Sequence, residues 1–149
     1  MTAPVHVENT FAFEVAAPIA KAFPLFGGWG ERVWAGEEWS PEFLWPSPPA
    51  DAEGEVFTVG EGADQSIWVN TRFDEAAGRV QYVYVLPGVQ AVCIDLALSE
   101  SAASSTSVQV TYRRTALGPT SNEHVLGLGE RDREQGPTWA AAIDAHLNR

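Results

Sequence analysis

Hydrophobic and polar residues alternate over most of the chain with a period of two, which is typical of β-strands that bury one face. The first such segment, VHVENTFAFEV, covers residues 5–15 and places Phe11, Phe13 and Val15 on one side. Five further segments follow at short, even spacing: EVFTVG at 55–60, SIWVNTRF at 66–73, RVQYVYVL at 79–86, AVCIDLALS at 91–99 and SVQVTYRRTAL at 107–117. The polar piece SESAASSTS between the last two is interpreted as a flexible turn. Short connections favour hairpins over crossover helices, so the pattern predicts an antiparallel meander.

A short helix is predicted after the first strand, in the segment APIAKAFPLF at residues 17–26. Pro18 suits a first helical position, and the apolar residues that follow it recur at helical spacing. Pro24 lacks an N–H donor and Gly27 and Gly28 follow, so this helix must be short or bent.

The tail from residue 119 to residue 149 has the period of an amphipathic helix. Its apolar stripe recurs every three or four residues, at Trp139, Ala142, Ile143, His146 and Leu147. Such a stripe must bury against a large partner, and the predicted sheet supplies one. Because Gly136 and Pro137 interrupt the pattern, we predict a break near Gly136 and a helix over about residues 137–147.

The length of the chain, 149 residues, predicts a single domain covering residues 1–149. No apolar run reaches the ~20 residues needed to cross a bilayer, and the start MTAPVHVENT lacks the features of a secretion signal. We therefore expect a cytoplasmic protein without a membrane span. The single cysteine, Cys93, excludes an internal disulfide and is interpreted as a small buried strand residue.

The charge of the chain argues against nucleic acid as a partner. Twenty acidic residues stand against nine basic ones, which gives a formal net charge of −11. Such a surface repels phosphate backbones, and the dispersed arginines form no basic stripe that would offset this repulsion.

The predicted order of elements is one strand, a short helical region, a run of antiparallel strands and a C-terminal helix. With FAFEVAAPIAKAF at 11–23, GERVWAGEEWSPEFLWP at 30–46 and YRRTAL at 112–117, the chain resembles the START-like proteins of the SRPBCC superfamily, related to the polyketide cyclase/dehydrase family. The resemblance covers nearly all of the chain, and the Gly-Glu-Arg-x-Trp stretch is similar to an uncharacterised branch. It implies an α+β helix-grip fold, in which a curved antiparallel sheet of six or seven strands wraps around a long C-terminal helix and encloses a cavity.

Residues 30–46 are unusual because they mix four aromatic residues with four glutamates; the aromatic residues are Trp34, Trp39, Phe43 and Trp45. The segment is too aromatic for an idle loop, and too acidic and broken for a buried helix or strand. The resemblance implies that it passes beside the cavity mouth. Each of the four side chains is therefore either part of a wall or lid that contacts a ligand, or a plug that closes the open end of the sheet.

Glu31 and Arg32 form the polar pair of this segment. The guanidinium group of Arg32 could hold a carboxylate or a polarised carbonyl, with Glu31 orienting it. The alternative is a structural salt bridge or cap, because adjacent residues of a helix point about 100° apart.

Four polar residues of the strands face opposite to their apolar neighbours: Asn70, Arg72, Asp95 and Arg113. Periodicity alone does not distinguish the cavity side from the solvent side when both faces of a curved sheet are partly covered, so both interpretations stay open.

The sequence contains no motif for a metal site, a nucleophilic serine or a phosphate-binding loop. None of the histidines, His6, His124 and His146, stands at metal-ligand spacing, so no metal site is predicted. The Gly-rich pieces GGWG and GLGE lack the serine of a nucleophile elbow, and no phosphate-binding glycine motif occurs. We expect no cofactor.

Three functions from different classes remain. The first is binding of a small hydrophobic or aromatic molecule in an internal cavity between the sheet and the C-terminal helix. The second is a cyclase- or dehydratase-like enzyme acting on such a ligand, although no polyketide-cyclase motif can be matched residue by residue. The third is a protein-interaction or chaperone-associated domain, monomeric or homodimeric, in which the aromatic residues of 29–45 contact a partner.

The candidate residues follow from these functions. For catalysis, acid, base or oxyanion-stabilising roles are open to Glu31, Arg32, Tyr82, Tyr84, Tyr112 and Asp95. The candidates for the cavity or its lid are Trp34, Trp39, Phe43, Trp45, Glu31, Arg32, Tyr82, Tyr84, Tyr112 and Trp139.

Overall fold

The computed structural model describes residues 3–149 and contains seven strands and three α-helices in that range. The strands are β1 (His6–Val15), β2 (Glu42–Trp45), β3 (Val56–Val59), β4 (Ser66–Asp74), β5 (Arg79–Leu86), β6 (Gln90–Ala102) and β7 (Ser105–Ala116). The α-helices are α1 (Ile19–Ala22), α2 (Asn122–Asp132) and α3 (Gln135–Leu147). Short 3₁₀ turns cover Phe23–Phe26, Gly30–Val33, Gly62–Asp64 and Pro119–Ser121.

All seven strands form one antiparallel sheet in the order β1-β7-β6-β5-β4-β3-β2. Strands β3 to β7 are joined in sequence as a meander, and β1 closes the far edge by pairing with β7. The prediction of a curved antiparallel sheet with a C-terminal helix is therefore confirmed.

One prediction about the strands needs correction. The piece SESAASSTS is not a flexible turn, because β6 continues to Ala102 and β7 begins at Ser105. Within residues 30–46, Glu42–Trp45 forms β2, which pairs only with β3. None of its four residues is buried, which agrees with the expectation that so acidic a segment is not a buried strand, and its place at the edge keeps one side open to water.

The C-terminal tail forms two helices, and the break between them lies earlier than predicted. It falls at Arg133 and Glu134, while Gly136 is buried inside α3. A Cβ atom at Gly136 would lie 3.0 Å from the carbonyl oxygen of Ala12. The glycine thus lets α3 approach β1 closely instead of breaking the helix.

The packing of α3 leaves room beside it. The helix contacts β1 most extensively, while α2 packs on β1 and β7. On β6 and β7, alternate side chains such as Ile94, Leu96, Val108 and Val110 are buried beneath the helices. The space between α3 and the central strands is the site described below. Among the helices within residues 3–149, none combines the length and the apolar character that crossing a bilayer requires.

Candidate functional site

A partly open cavity of about 270 Å³ lies between α3, the central strands and the segment after α1. Each of these three parts contributes side chains to its wall. Those of α3 are Gln135, Thr138, Trp139 and Ala142; those of the sheet are Trp68, Tyr82, Ile94, Leu96 and Tyr112; those of the segment after α1 are Phe26, Glu31, Trp34, Ala35 and Trp39.

Four tryptophans give the cavity its aromatic wall. The indole N–H groups of Trp34 and Trp39 donate to backbone carbonyls, of Leu25 at 2.6 Å and of Gly28 at 2.9 Å. The Trp34 ring lies 5.4 Å from that of Trp139, and the Trp39 ring lies 5.2 Å from that of Trp68. Because both indole N–H groups are satisfied by the backbone, Trp34 and Trp39 present apolar ring surface to the cavity.

The loop Gly27-Gly28-Trp29-Gly30 positions this wall by folding around one carboxylate. Both oxygens of Asp51 accept hydrogen bonds from the loop, from the N–H of Trp29 at 2.8 Å and of Gly30 at 2.9 Å. A Cβ atom at Gly27 would meet the Asp51 carboxylate, and one at Gly30 would meet the carbonyl of Pro24. The glycines therefore serve this close approach of the loop backbone to the Asp51 carboxylate.

A second carboxyl, that of Glu55, is fully buried behind the cavity. Its Oε1 lies 3.2 Å from the amide nitrogen of Asn70 and 3.2 Å from the hydroxyl oxygen of Tyr82, and its Oε2 accepts from the N–H of Ala52. Burial and the nearby charge of Asp51 raise the pKa of Glu55 to about 7. This carboxyl therefore changes its charge close to neutral pH.

Glu31 is the carboxyl that borders the cavity itself. Burial raises its pKa well above the usual range, and the charges of Asp51 and Glu55 act in the same direction. Burial also raises the pKa of Tyr82 and Tyr112, with the charge of Glu31 contributing to each. Glu31 and its neighbours Asp51, Glu55, Tyr82 and Tyr112 are all acids. The negative charge that forms when one of them ionises therefore opposes ionisation of the others.

Arg32 does not enter the cavity. Its Nε donates to the carbonyl of Trp29 at 2.7 Å, and its guanidinium carbon lies 3.1 Å from the centre of the Trp29 ring. The side chain is exposed, so Arg32 and Glu31 do not share a site.

The structure brings six of the ten candidate residues together on the cavity wall: Glu31, Trp34, Trp39, Tyr82, Tyr112 and Trp139. The other four lie elsewhere. Besides Arg32, these are Phe43, which stacks on Phe57 at 5.0 Å, and Trp45, which is 53% exposed on the edge strand. The Tyr84 ring stacks on Trp68 at 4.1 Å, and its hydroxyl oxygen accepts from the guanidinium of Arg114 at 3.1 Å.

The four ambiguous polar strand residues separate into two groups. Asn70 is buried at the Glu55 carboxyl, and Arg72, beyond a register shift in β4, is exposed. Asp95 and Arg113 form an ion pair with each other on the outer face of the sheet. The cavity therefore does not include Asp95.

Sequence patterns did not predict the other lining residues of the cavity, among them Trp68, nor the two carboxyls behind the wall, Asp51 and Glu55. In the alternating pattern, Trp68 lies on the same face of β4 as Asn70 and Arg72, opposite to Ile67 and Val69, so the pattern indicated a polar face there. Asp51 and Glu55 lie in PPADAEGEV, whose composition is that of a solvated loop. The one available signal was the glycine-rich loop, since glycines at close approach indicate a group that the backbone must surround.

The donor set does not suit a metal ion. Within residues 3–149, no three His, Cys, Asp or Glu side chains are grouped so as to hold one. The cavity offers mostly aromatic surface with one carboxyl and two phenols, which suits an organic ligand and acid–base chemistry.

Solved structures with the same fold match nearly the whole chain at low sequence identity. Norcoclaurine synthase from Thalictrum flavum, in complex with dopamine and hydroxybenzaldehyde, is 14% identical with a TM-score of 0.68, covering 97% of this chain and 88% of that one. Ara h 8.0201 is 15% identical with a TM-score of 0.64, covering 97% and 100%. An uncharacterised protein from Bacillus thuringiensis is 15% identical with a TM-score of 0.67, covering 95% and 99%.

These neighbours include members of the Bet v1/START (SRPBCC) superfamily, and they show that the chain has the helix-grip fold. The polyketide cyclase branch stays a prediction. No protein-family model matches the sequence, and no curated protein matches it significantly.

Proposed function

We propose that the protein binds a small aromatic molecule in the cavity between the sheet and α3. The observation that carries this proposal is the wall of four tryptophans, whose rings meet around an open volume instead of filling it. Aromatic walls with few polar groups are typical of sites for small organic ligands. The fold neighbour in complex with dopamine and hydroxybenzaldehyde supports a single-ring or two-ring ligand.

The size of the cavity sets a limit on the ligand. An apolar cavity of about 150 Å³ engineered into another protein holds benzene. The volume here, about 270 Å³, therefore accommodates one or two rings with a short substituent, and excludes a long acyl chain from full burial.

A second candidate function, a cyclase- or dehydratase-like enzyme, is favoured by one specific arrangement. The carboxyl of Glu31 and the hydroxyl of Tyr82 border the same cavity, and burial makes both weaker acids. A carboxyl with a raised pKa is a suitable general acid, and its conjugate base is a suitable proton acceptor.

The binding function is tested by filling the cavity. Ala142 lines it from α3, whereas Ala141 beside it is exposed. The parent, Ala142→Phe and the control Ala141→Phe would be titrated with the neutral probe 2-(1-naphthyl)ethanol, followed by tryptophan fluorescence. We expect Ala142→Phe to weaken binding by about tenfold or more, because the new ring occupies the ligand's volume, and Ala141→Phe to bind like the parent.

Three further results decide between the functions. If Ala142→Phe binds the probe as well as the parent while folding normally, the cavity is not the binding site. Native mass spectrometry of gently purified protein would identify a retained ligand and show whether the chain is a monomer or a homodimer. Incubating that ligand with the protein in D₂O tests the enzyme, since a ligand recovered unchanged and without deuterium argues against proton transfer.

A further inference from the structure

The wall of the cavity carries an acidic side chain and no basic one. Of the fourteen residues that line it, Glu31 alone carries a carboxyl group, and none is a lysine, arginine or histidine. The guanidinium of Arg32, next to Glu31 in the sequence, is held outside against Trp29. That of Arg114 lies 4.8 Å from the ring of Tyr112 behind the wall and is neutralised by its ion pair with Asp132. Behind the wall, Asp51 and Glu55 add two further carboxyls whose charges reach Glu31.

The Glu31 carboxyl also lacks a partner. Among residues 3–149, no side chain forms an ion pair or a hydrogen bond with the Glu31 carboxyl. By contrast, Asp51 accepts two backbone N–H bonds, and Glu55 accepts from Asn70 and Ala52. Glu31 is half-buried at the cavity wall, so its carboxyl is accessible from the cavity and free to pair with a cationic group of a ligand.

The aromatic side chains around Glu31 favour the same kind of partner. Trp34, Trp39, Trp68 and Trp139, with the phenols of Tyr82 and Tyr112, line the cavity that Glu31 borders. The faces of aromatic rings attract cations within about 6 Å, most strongly where water is excluded. A carboxyl among aromatic rings therefore recognises an organic ammonium group better than a neutral or anionic one.

We propose that the ligand of this cavity is a protonated aromatic amine, whose ammonium group binds the Glu31 carboxylate among the surrounding rings. This inference rests on the proposed binding function, because it concerns the same cavity. It goes beyond that function by fixing the charge of the ligand and the residue that selects it.

Binding of an ammonium group would be linked to a proton. Burial disfavours the ionised form of Glu31, and the charges of Asp51 and Glu55 act in the same direction, whereas Tyr82 and Tyr112 stay neutral phenols in this pH range. A bound cation favours the ionised carboxyl, so the amine displaces a proton from Glu31. Affinity for an amine then rises as the pH increases through the pKa of Glu31, whereas affinity for a neutral analogue does not.

The test compares two probes of nearly the same shape, 2-(1-naphthyl)ethylamine and 2-(1-naphthyl)ethanol. Each is titrated by calorimetry into the parent, into Glu31→Gln and into the control Glu38→Gln. Glu38 is exposed on the same segment, so its substitution removes one negative charge without touching the cavity. We expect the parent and Glu38→Gln to bind the amine about tenfold or more tightly than the alcohol, and Glu31→Gln to lose that preference.

Repeating the parent titration in buffers of different ionisation enthalpy measures the proton directly and needs no variant. We expect proton release with the amine and none with the alcohol. Equal binding of the two probes by the parent would overturn the amine proposal and leave the binding function standing. If neither probe binds, both proposals fail, and a preference that survives in Glu31→Gln would remove Glu31 from the recognition of the amine.

Discussion

Glu55 is a single residue whose surroundings set a property of the whole protein. Its carboxyl is fully buried, and its pKa is raised from 4.5 to about 7 because burial and Asp51 disfavour the charged form. The unfolded chain loses this proton at lower pH than the folded one. The folded state thus binds more protons between about pH 4.5 and pH 7, and its stability falls as the pH rises through that window.

The first prediction concerns this pH dependence. We expect Glu55 to lower the free energy of unfolding by about 3 kcal/mol as the pH rises from 4.5 through 7, with the change complete by about pH 8. Glu55→Gln cannot ionise and retains an acceptor for Asn70 and Tyr82, so its stability should depend less steeply on pH. Urea unfolding of both proteins at pH 5, 6, 7 and 8 measures the difference, and parallel curves would contradict the prediction.

At the scale of elements, one buried ion pair joins α2 to the sheet. Arg114 of β7 donates to both carboxylate oxygens of Asp132, at 2.7 and 2.8 Å, and both side chains are 7% exposed. The same guanidinium donates to Gln90 and Tyr84. All three nitrogens of the Arg114 guanidinium thus have partners, and the group lies 4.8 Å from the ring of Tyr112 without lining the cavity itself.

The second prediction tests how this pair stabilises the fold. Asp132→Ala leaves a buried guanidinium without its counter-ion, so we expect a loss of about 3–5 kcal/mol in the free energy of unfolding. The double variant Arg114→Met/Asp132→Leu removes both charges and should recover part of that loss, because no unpaired charge remains buried.

The outer face of the sheet supplies the matched control. Asp95 and Arg113 form an ion pair there whose side chains are 27% and 40% exposed. We expect Asp95→Ala to cost under about 1 kcal/mol, since water screens the exposed pair. Urea unfolding measures all of these variants, and a double variant no more stable than Asp132→Ala would show that the damage comes from lost packing.

At the scale of the whole molecule, the excess of acidic residues opposes folding. The formal net charge is −11, and the folded state brings these charges closer together than the unfolded chain does. Salt shortens the range of this repulsion from about 30 Å at 0.01 M to about 8 Å at 0.15 M.

The third prediction follows from this screening. Raising sodium chloride from about 10 mM to 150 mM at pH 7.5 should raise the unfolding midpoint by about 2–4 °C, which corresponds to about 1 kcal/mol for a chain of this size. Thermal unfolding followed by circular dichroism measures the shift. A midpoint that falls with added salt would mean that attractive ion pairs outweigh the general repulsion.

Much of the architecture could be predicted from the chain alone because it depends on periodicity. Side chains of a strand alternate between two faces, so patterns such as RVQYVYVL at 79–86 indicate strands wherever they lie in the fold. The structure has β5 over Arg79–Leu86, and the apolar stripe of the tail lies in α3. The resemblance of residues 11–23, 30–46 and 112–117 to helix-grip proteins added the order in which these elements assemble.

The sequence by itself thus determined most of the elements, their antiparallel order and the aromatic richness of residues 30–46. Only the tertiary structure decided which polar groups meet, because that depends on strand register, on the curvature of the sheet and on where loops fold back. Asn70 and Asp95 both look like polar strand residues, yet Asn70 is buried at Glu55 and Asp95 pairs with Arg113 outside. Neighbours such as Glu31 and Arg32 separate for the same reason: the turn directs one side chain to the cavity and the other to the surface.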